Sequence, residues 1–259
     1  MAENIGNFNE SERQNYLKDD QNKKLNVIGT ELTWRKFILF IMTYCAISIG
    51  IGFLVGIIFA ISDIFLGTNM INALAQIQYL SLLELAAFVL TMLVFKSVRD
   101  YLRDSYYIQA LKKWQTYLYL VGAYLVVYFA QYLFIYLLEW EQAGSQVDLF
   151  GLDQIGVSAL NLILLILAFV VIAPITEEII FRGLIFGFIK DKLGLIAALF
   201  ISSAIFGLLH PGHHLSTFVM GLAFALLYHR TKSIAVPIVL HMVWNALATY
   251  GLLSLVISS

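Results

Sequence analysis

Apolar residues gather into seven stretches between short polar connections, at roughly 36–62, 78–97, 115–138, 156–189, 194–210, 214–229 and 234–257. Most of them approach or exceed the roughly 20 residues needed to cross a bilayer. Backbone N–H and C=O groups in lipid must be satisfied within the segment, so each stretch is expected to be a helix. The pattern predicts an all-α, polytopic membrane helical bundle with about seven to eight transmembrane helices. The fourth stretch is unusual: a straight helix of that length would run ~50 Å, against a hydrocarbon core of ~30 Å. It must tilt, kink or project, and Pro174 supplies the expected break.

Composition agrees with this reading. The chain of 259 residues is 60% hydrophobic and only 13% charged, where a soluble domain averages about 25% charged. The formal net charge of −1 decides little, because placement governs topology. Six basic residues lie in or just after the first segment, ending at Arg35 and Lys36, and five lie between Lys96 and Lys113. Lys190 with Lys192 and Arg230 with Lys232 complete the clusters, leaving Arg182 alone inside an apolar run. With seven spans all four clusters fall on one side, which the positive-inside rule assigns to the cytoplasm. The expected location is the plasma membrane, multi-pass, with a cytoplasmic N-terminus. Residues 1–33 read as a polar cytoplasmic tail without the apolar core of a signal peptide. Residues 34–154 read as N-terminal transmembrane scaffold helices, and residues 155–259 hold most of the chemistry. The single cysteine, Cys45, allows no internal disulfide.

Ionisable groups inside membrane helices are costly and usually have partners or tasks. Five places break the apolar pattern: Glu84, the Glu177–Glu178–Arg182 group, His210, His241 and Asn245. Glu178 and Arg182 stand four residues apart with the acid first, the favourable order for a helical ion pair. Glu177 lies about 100° around the helix from Glu178 and points elsewhere, so it remains available. His210 closes the fifth stretch before Pro211 and Gly212. His241 and Asn245 share a face of the seventh. Counted from the basic boundary at 1.5 Å per residue, Glu177, His210, His241 and Asn245 sit at depths of about 20, 27, 14 and 20 Å. Their layers overlap, so convergence on one site is expected. Each group also has a plainer reading, as a helix cap, a register-fixing ion pair or interhelical glue.

Several chemistries are absent. There is no His-Glu-x-x-His for a thermolysin-type zinc helix and no Gly-x-Ser-x-Gly for a nucleophilic serine. No aspartate lies mid-span in the last four stretches, which excludes an aspartyl pair. Gly52-x-x-x-Gly56 and Gly183-x-x-x-Gly187 permit close helix packing.

Glu-Glu-x-x-x-Arg (177–182), Phe206-x-x-x-His210 and His241-x-x-x-Asn245, in that order on successive helices, resemble the CPBP family of intramembrane glutamate proteases. That family includes CAAX proteases of the Rce type, Abi proteins and lysostaphin-resistance-like proteins. The resemblance covers about residues 155 to 250 and makes 155–259 a CPBP-like catalytic transmembrane domain. It implies that Glu177 is the general base, that His210 helps hold the attacking water, and that His241 and Asn245 donate to the oxyanion. Glu178, Arg182 and Phe206 would support them. The implied activity is CAAX-type intramembrane endopeptidase action on membrane-associated protein or peptide substrates. No cofactor is expected, with zinc on Glu177, His210 and His241 as the alternative. The lipid bilayer is the other expected partner, and nucleic acid is not one. The rival readings are a non-enzymatic membrane regulator or bacteriocin-immunity protein of the same fold, and a transporter with a broken helix.

Overall fold

The computed structural model describes residues 31–74, 76–143, 145 and 159–258. Residues 1–30, and with them most of the expected polar tail, lie outside the described residues, as does the expected boundary at 154/155. Among the described residues there is no β-strand. The helices are α1 (Trp34–Leu66), α2 (Met70–Leu74), α3 (Ile77–Val94), α4 (Lys96–Leu102), α5 (Trp114–Leu137), α6 (Ala159–Leu193), α7 (Leu195–Leu208), α8 (His214–Thr231) and α9 (Ala235–Ser258).

Five of them, α1, α3, α5, α6 and α9, are long and apolar enough to span a bilayer. α7 is apolar but has only 14 residues, and α8 is more polar. The outward faces are those of a membrane protein: Ile49, Phe53, Ile64 and Phe65 on α1 are each at least 70% exposed. Helix ends follow local chemistry. Gly67 adopts φ 64° and its N–H returns to the carbonyl of Asp63, ending α1 in a left-handed cap. Gly194, at φ 88°, separates α6 from α7.

α6 is the axis of the bundle. Phe181, Ile185, Phe186 and Ile189 pack against Val127 of α5, Phe206 of α7, Met220 and Phe224 of α8, and Leu240 and Trp244 of α9. Its opposite side sends Ile179, Leu184 and Phe188 against Phe40 of α1, Phe88 of α3, Leu102 of α4 and Ile234 before α9. From Glu178 to Ile189 the helix is buried on nearly every side, and apart from Glu178 and Arg182 that stretch is apolar all round, as such burial requires. The winding of α6 is not uniform: Leu167–Ile172 and Ile179–Phe186 are wound as π-helix, with a regular stretch, Ala173–Glu178, between them. Pro174 therefore sits next to a widened turn rather than interrupting the helix. A π turn accommodates an irregularity that would break a regular ladder.

Small residues let helices touch. Gly183 and Gly187 face Ile234, Leu102 and Tyr101 closely, whereas Gly52 and Gly56 face open space, so only one of the two glycine pairs is used for packing. A close backbone approach joins α7 to α8, where a Cβ on Gly221 would lie 2.9 Å from both Cα and Cβ of Ser203.

Because backbone atoms cannot swing aside, Gly221→Ala should lower the melting temperature in detergent, with a cost of about 1–3 kcal/mol. Gly122→Ala, with nothing within 4 Å of the new Cβ, should be neutral or stabilising by up to about 1 kcal/mol. Equal melting of the two variants would contradict this packing.

Candidate active site

Glu178 and Arg182 are buried on α6, 0% and 1% exposed. Their nearest charged atoms, Glu178 Oε1 and Arg182 Nη1, are 2.9 Å apart. The contact is an ion pair rather than an aligned hydrogen bond, since Nη1 and Nη2 find no hydrogen-bond acceptor among the described residues. Aromatic faces surround the guanidinium instead: its carbon lies 4.2 Å from the Phe206 ring centre, 5.2 Å from Phe224 and 5.9 Å from Phe181. A desolvated guanidinium over an aromatic face is attracted by the ring quadrupole, so three helices hold the one cation. Glu178 Oε1 also faces His241 Nδ1 on α9 at 2.9 Å. The sequence paired Glu178 with Arg182 alone; the carboxylate in fact bridges Arg182 and His241.

That contact fixes a tautomer. Glu178, beside Arg182, accepts, so His241 Nδ1 carries the proton and donates. His210 is oriented similarly, with Nδ1 2.7 Å from the carbonyl of Phe206, which can only accept. In both neutral rings the Nε2 lone pair is then the free end. Both free ends face one atom: Glu177 Oε2 lies 3.9 Å from His210 Nε2 and 3.8 Å from His241 Nε2. Glu177 Oε2 is itself buried and makes no hydrogen bond to the described protein groups. Three acceptors thus meet around one small space that suits a proton-bearing molecule lodged between them.

Phe206 organises this arrangement. Fully buried, its ring lies 4.4 Å from that of His210, 6.2 Å from His241 and 5.0 Å from Phe181, while its carbonyl holds His210. The structure therefore brings Glu177, Glu178, Arg182, Phe206, His210 and His241 together. Asn245 is placed differently. Its Nδ2 donates to the carbonyl of Phe169 at 2.8 Å. In π-helical register that carbonyl points toward position 174, where proline has no N–H. The asparagine thus ties α9 to the irregular turn of α6 and keeps one N–H of its amide for another acceptor.

Metal binding has a geometric test. Zinc bonds of 2.0–2.1 Å in a tetrahedron put ligand atoms about 3.4 Å apart, and the separations of 3.8 and 3.9 Å are wider. No group of three His, Cys, Asp or Glu among the described residues has metal-holding geometry.

Glu84, the remaining ionisable group in the membrane pattern, lies away from this site. Its Oε2 accepts from the hydroxyls of Tyr44 (2.6 Å) and Ser48 (3.4 Å), linking α3 to α1. A second polar cluster escaped the sequence reading: Glu141 accepts from the backbone N–H groups of Leu215 and Ser216 at the start of α8.

Residues 159–247 match the family profile described as type II CAAX prenyl endopeptidase, Rce1-like. Over 84 residues the chain is 46% identical to a Bacillus subtilis protein provisionally named membrane peptidase YdiL, covering 32% of this chain and 34% of that one. The membrane-embedded CAAX protease MroQ of Staphylococcus aureus is 39% identical over 83 residues, 29% of this chain and 34% of its own length. The matched segment thus spans about a third of the length of these curated relatives. No solved structure matches the chain.

Removing the buried cation would strand Glu178. Arg182→Ala should destabilise the fold by about 3–5 kcal/mol and sharply reduce folded yield in membranes. Arg182→Lys should rescue only partly, because an ammonium lacks the planar face that stacks on Phe206. Wild-type yield and melting of Arg182→Ala would refute the pairing.

Proposed function

We propose that the Rce1-like domain at residues 159–247 makes this chain an intramembrane endopeptidase that cleaves membrane-associated proteins or peptides with an activated water. The observation that carries the reading is the convergence of two imidazole Nε2 atoms on Glu177 Oε2, with both Nδ1 atoms already committed elsewhere. A water lodged there donates to Glu177 and to His210, which leaves its oxygen lone pair free for a substrate carbonyl carbon. Glu177 takes the proton as the C–O bond forms, and later passes it to the departing amine nitrogen as the C–N bond breaks.

The oxyanion needs donors. Asn245 offers its remaining amide N–H. The family resemblance sets His241 beside it, but with Nδ1 donating to Glu178 its Nε2 presents a lone pair to the same space, so the amide of Asn245 is the donor that this tautomer leaves. Donors fixed in a water-poor site are worth more to a developing charge than in bulk water. No metal is required in this scheme. The substrate reaches the site within the bilayer, and the basic end of the bundle, with the N-terminus, faces the cytoplasm of a plasma membrane. Residues 34–154 act as scaffold around the 155–259 catalytic unit. The printed name of the Staphylococcus relative makes a C-terminal CAAX peptide the first substrate class to try.

Comparison of new protein N-termini in membranes carrying the wild type or Glu177→Ala tests the reading. Cleavages present only with the wild type are expected; identical sets of termini would leave a non-enzymatic regulator of the same fold.

On a purified substrate, activity should survive exhaustive chelation, and restoration by stoichiometric zinc after a loss would reinstate the metal alternative. Asn245→Ala should lower kcat by roughly 10²–10³ with KM little changed. If Asn245 serves only as the tie to Phe169, the loss will appear in melting temperature and not in kcat per folded molecule.

A further inference from the structure

Beyond α5 the backbone turns at Glu139 (φ 54°), and the N–H groups of Trp140 and Glu141 return to the carbonyl of Phe134 at 2.9 and 3.1 Å. This wrap directs the Glu141 side chain, 7% exposed as a residue, at the first turn of α8. Its Oε1 accepts from Leu215 N at 2.6 Å and Ser216 N at 3.1 Å. Those are the second and third helical positions, the N–H groups that a capping side chain normally satisfies. Here the cap comes from a residue more than 70 positions earlier in the chain. The local cap residue, His213, makes no side-chain capping bond. It turns away, its Nε2 3.1 Å from Ser145 Oγ and its Nδ1 3.8 Å from Glu141 Oε2. Both Glu141 Oε2 and His213 Nδ1 are buried without hydrogen-bond partners among the described residues. A negative carboxylate at a helix N-terminus is also favoured by the helix dipole.

The turn held in this way is the one that carries His210. His213 N donates to the His210 carbonyl at 3.1 Å, and His210 N donates to the Gly207 carbonyl at 3.0 Å. The same Gly207 carbonyl faces His214 Nδ1 at 3.0 Å. The His213 carbonyl accepts from Thr217 N at 3.0 Å and from the Thr217 hydroxyl. From the Glu141 carboxylate to the His210 ring the connection runs through the first turn of α8 and one four-residue turn. Gly207 allows the close contact, since a Cβ there would lie 2.6 Å from the His214 carbonyl oxygen.

We propose that Glu141 is a positioning residue for the reaction: by capping α8 from outside the matched domain, it seats the 210–213 turn and holds His210 Nε2 toward Glu177. The inference rests on the endopeptidase reading for its effect on rate, and on geometry alone for its effect on the turn. Glu141 touches neither Glu177 nor a reacting atom. Its influence passes through the backbone, and misplacing a catalytic group by about 1 Å costs on the order of 100-fold in rate.

The test uses the full chain in nanodiscs with Glu141→Ala and Glu141→Gln, the amide keeping one accepting oxygen for the α8 N–H groups. Hydrogen exchange reports on the turn, and a quenched farnesylated CAAX peptide reports on turnover. In Glu141→Ala, exchange at Leu215 and Ser216 should rise about fivefold with α9 unaffected. Its kcat should fall roughly 10- to 100-fold with KM within about twofold, and Glu141→Gln should recover most of both. A purely structural role would reduce folded protein but leave kcat per folded molecule unchanged, and that result overturns the proposal. So does normal exchange at Leu215 and Ser216 in Glu141→Ala. If the wild type leaves the peptide intact, the substrate choice or the endopeptidase reading fails by itself, and exchange still decides the role of Glu141.

Discussion

A buried arginine holds the centre of this molecule. Arg182 on α6 faces Phe206 of α7 and Phe224 of α8 and pairs with Glu178, which in turn orients His241 of α9. Four helices are thereby bound to one cation with no access to water. A carboxylate and a guanidinium in a low-dielectric interior are tolerated only when each is compensated. Here the compensation comes from the ion pair, a histidine N–H and aromatic faces together. The proton on His241 Nδ1, and hence the character of the atom facing Glu177, follows from this charge arrangement. Stability and chemistry share the same few residues.

Much of the fold was legible in the sequence because lipid imposes a strict rule. Backbone groups must be satisfied within a segment, and apolar runs end where charges begin. The expected stretches 36–62, 78–97 and 115–138 lie beside the observed Trp34–Leu66, Ile77–Val94 and Trp114–Leu137. The last four fall equally close. The polar set was legible for a related reason: an ionisable residue in such a run is conspicuous, and the i,i+4 order of Glu178 and Arg182 already implied contact.

What escaped the sequence depends on tertiary neighbours or on local winding. No periodicity announces that Leu167–Ile172 and Ile179–Phe186 are wound as π-helix, so the tie between Asn245 and Phe169 had no visible cause. Glu141 lies in a connection between apolar stretches, where an acid is not conspicuous. Its partner N–H groups lie at the start of another helix, and capping from such a distance leaves no local signature like a serine or aspartate before the first turn. The two glycine spacings looked alike on paper, yet only Gly183 and Gly187 have a neighbour close enough to need the missing Cβ.

The length of α7 has a consequence for the surrounding lipid. Fourteen residues reach about 21 Å, some two thirds of a hydrocarbon core of about 30 Å. The helix begins beside the charged residues Lys190 and Lys192, so its far end, with His210, His213 and His214, stops short of the opposite headgroups. A bilayer meets such a mismatch by thinning or by admitting polar groups, at a fraction of a kcal/mol per ångström. Along this edge a bilayer of that thickness would thin toward the protein or admit polar groups. Such thinning over the histidine turn would shorten the path of water to Glu177, whose side chain is 27% exposed beside His210.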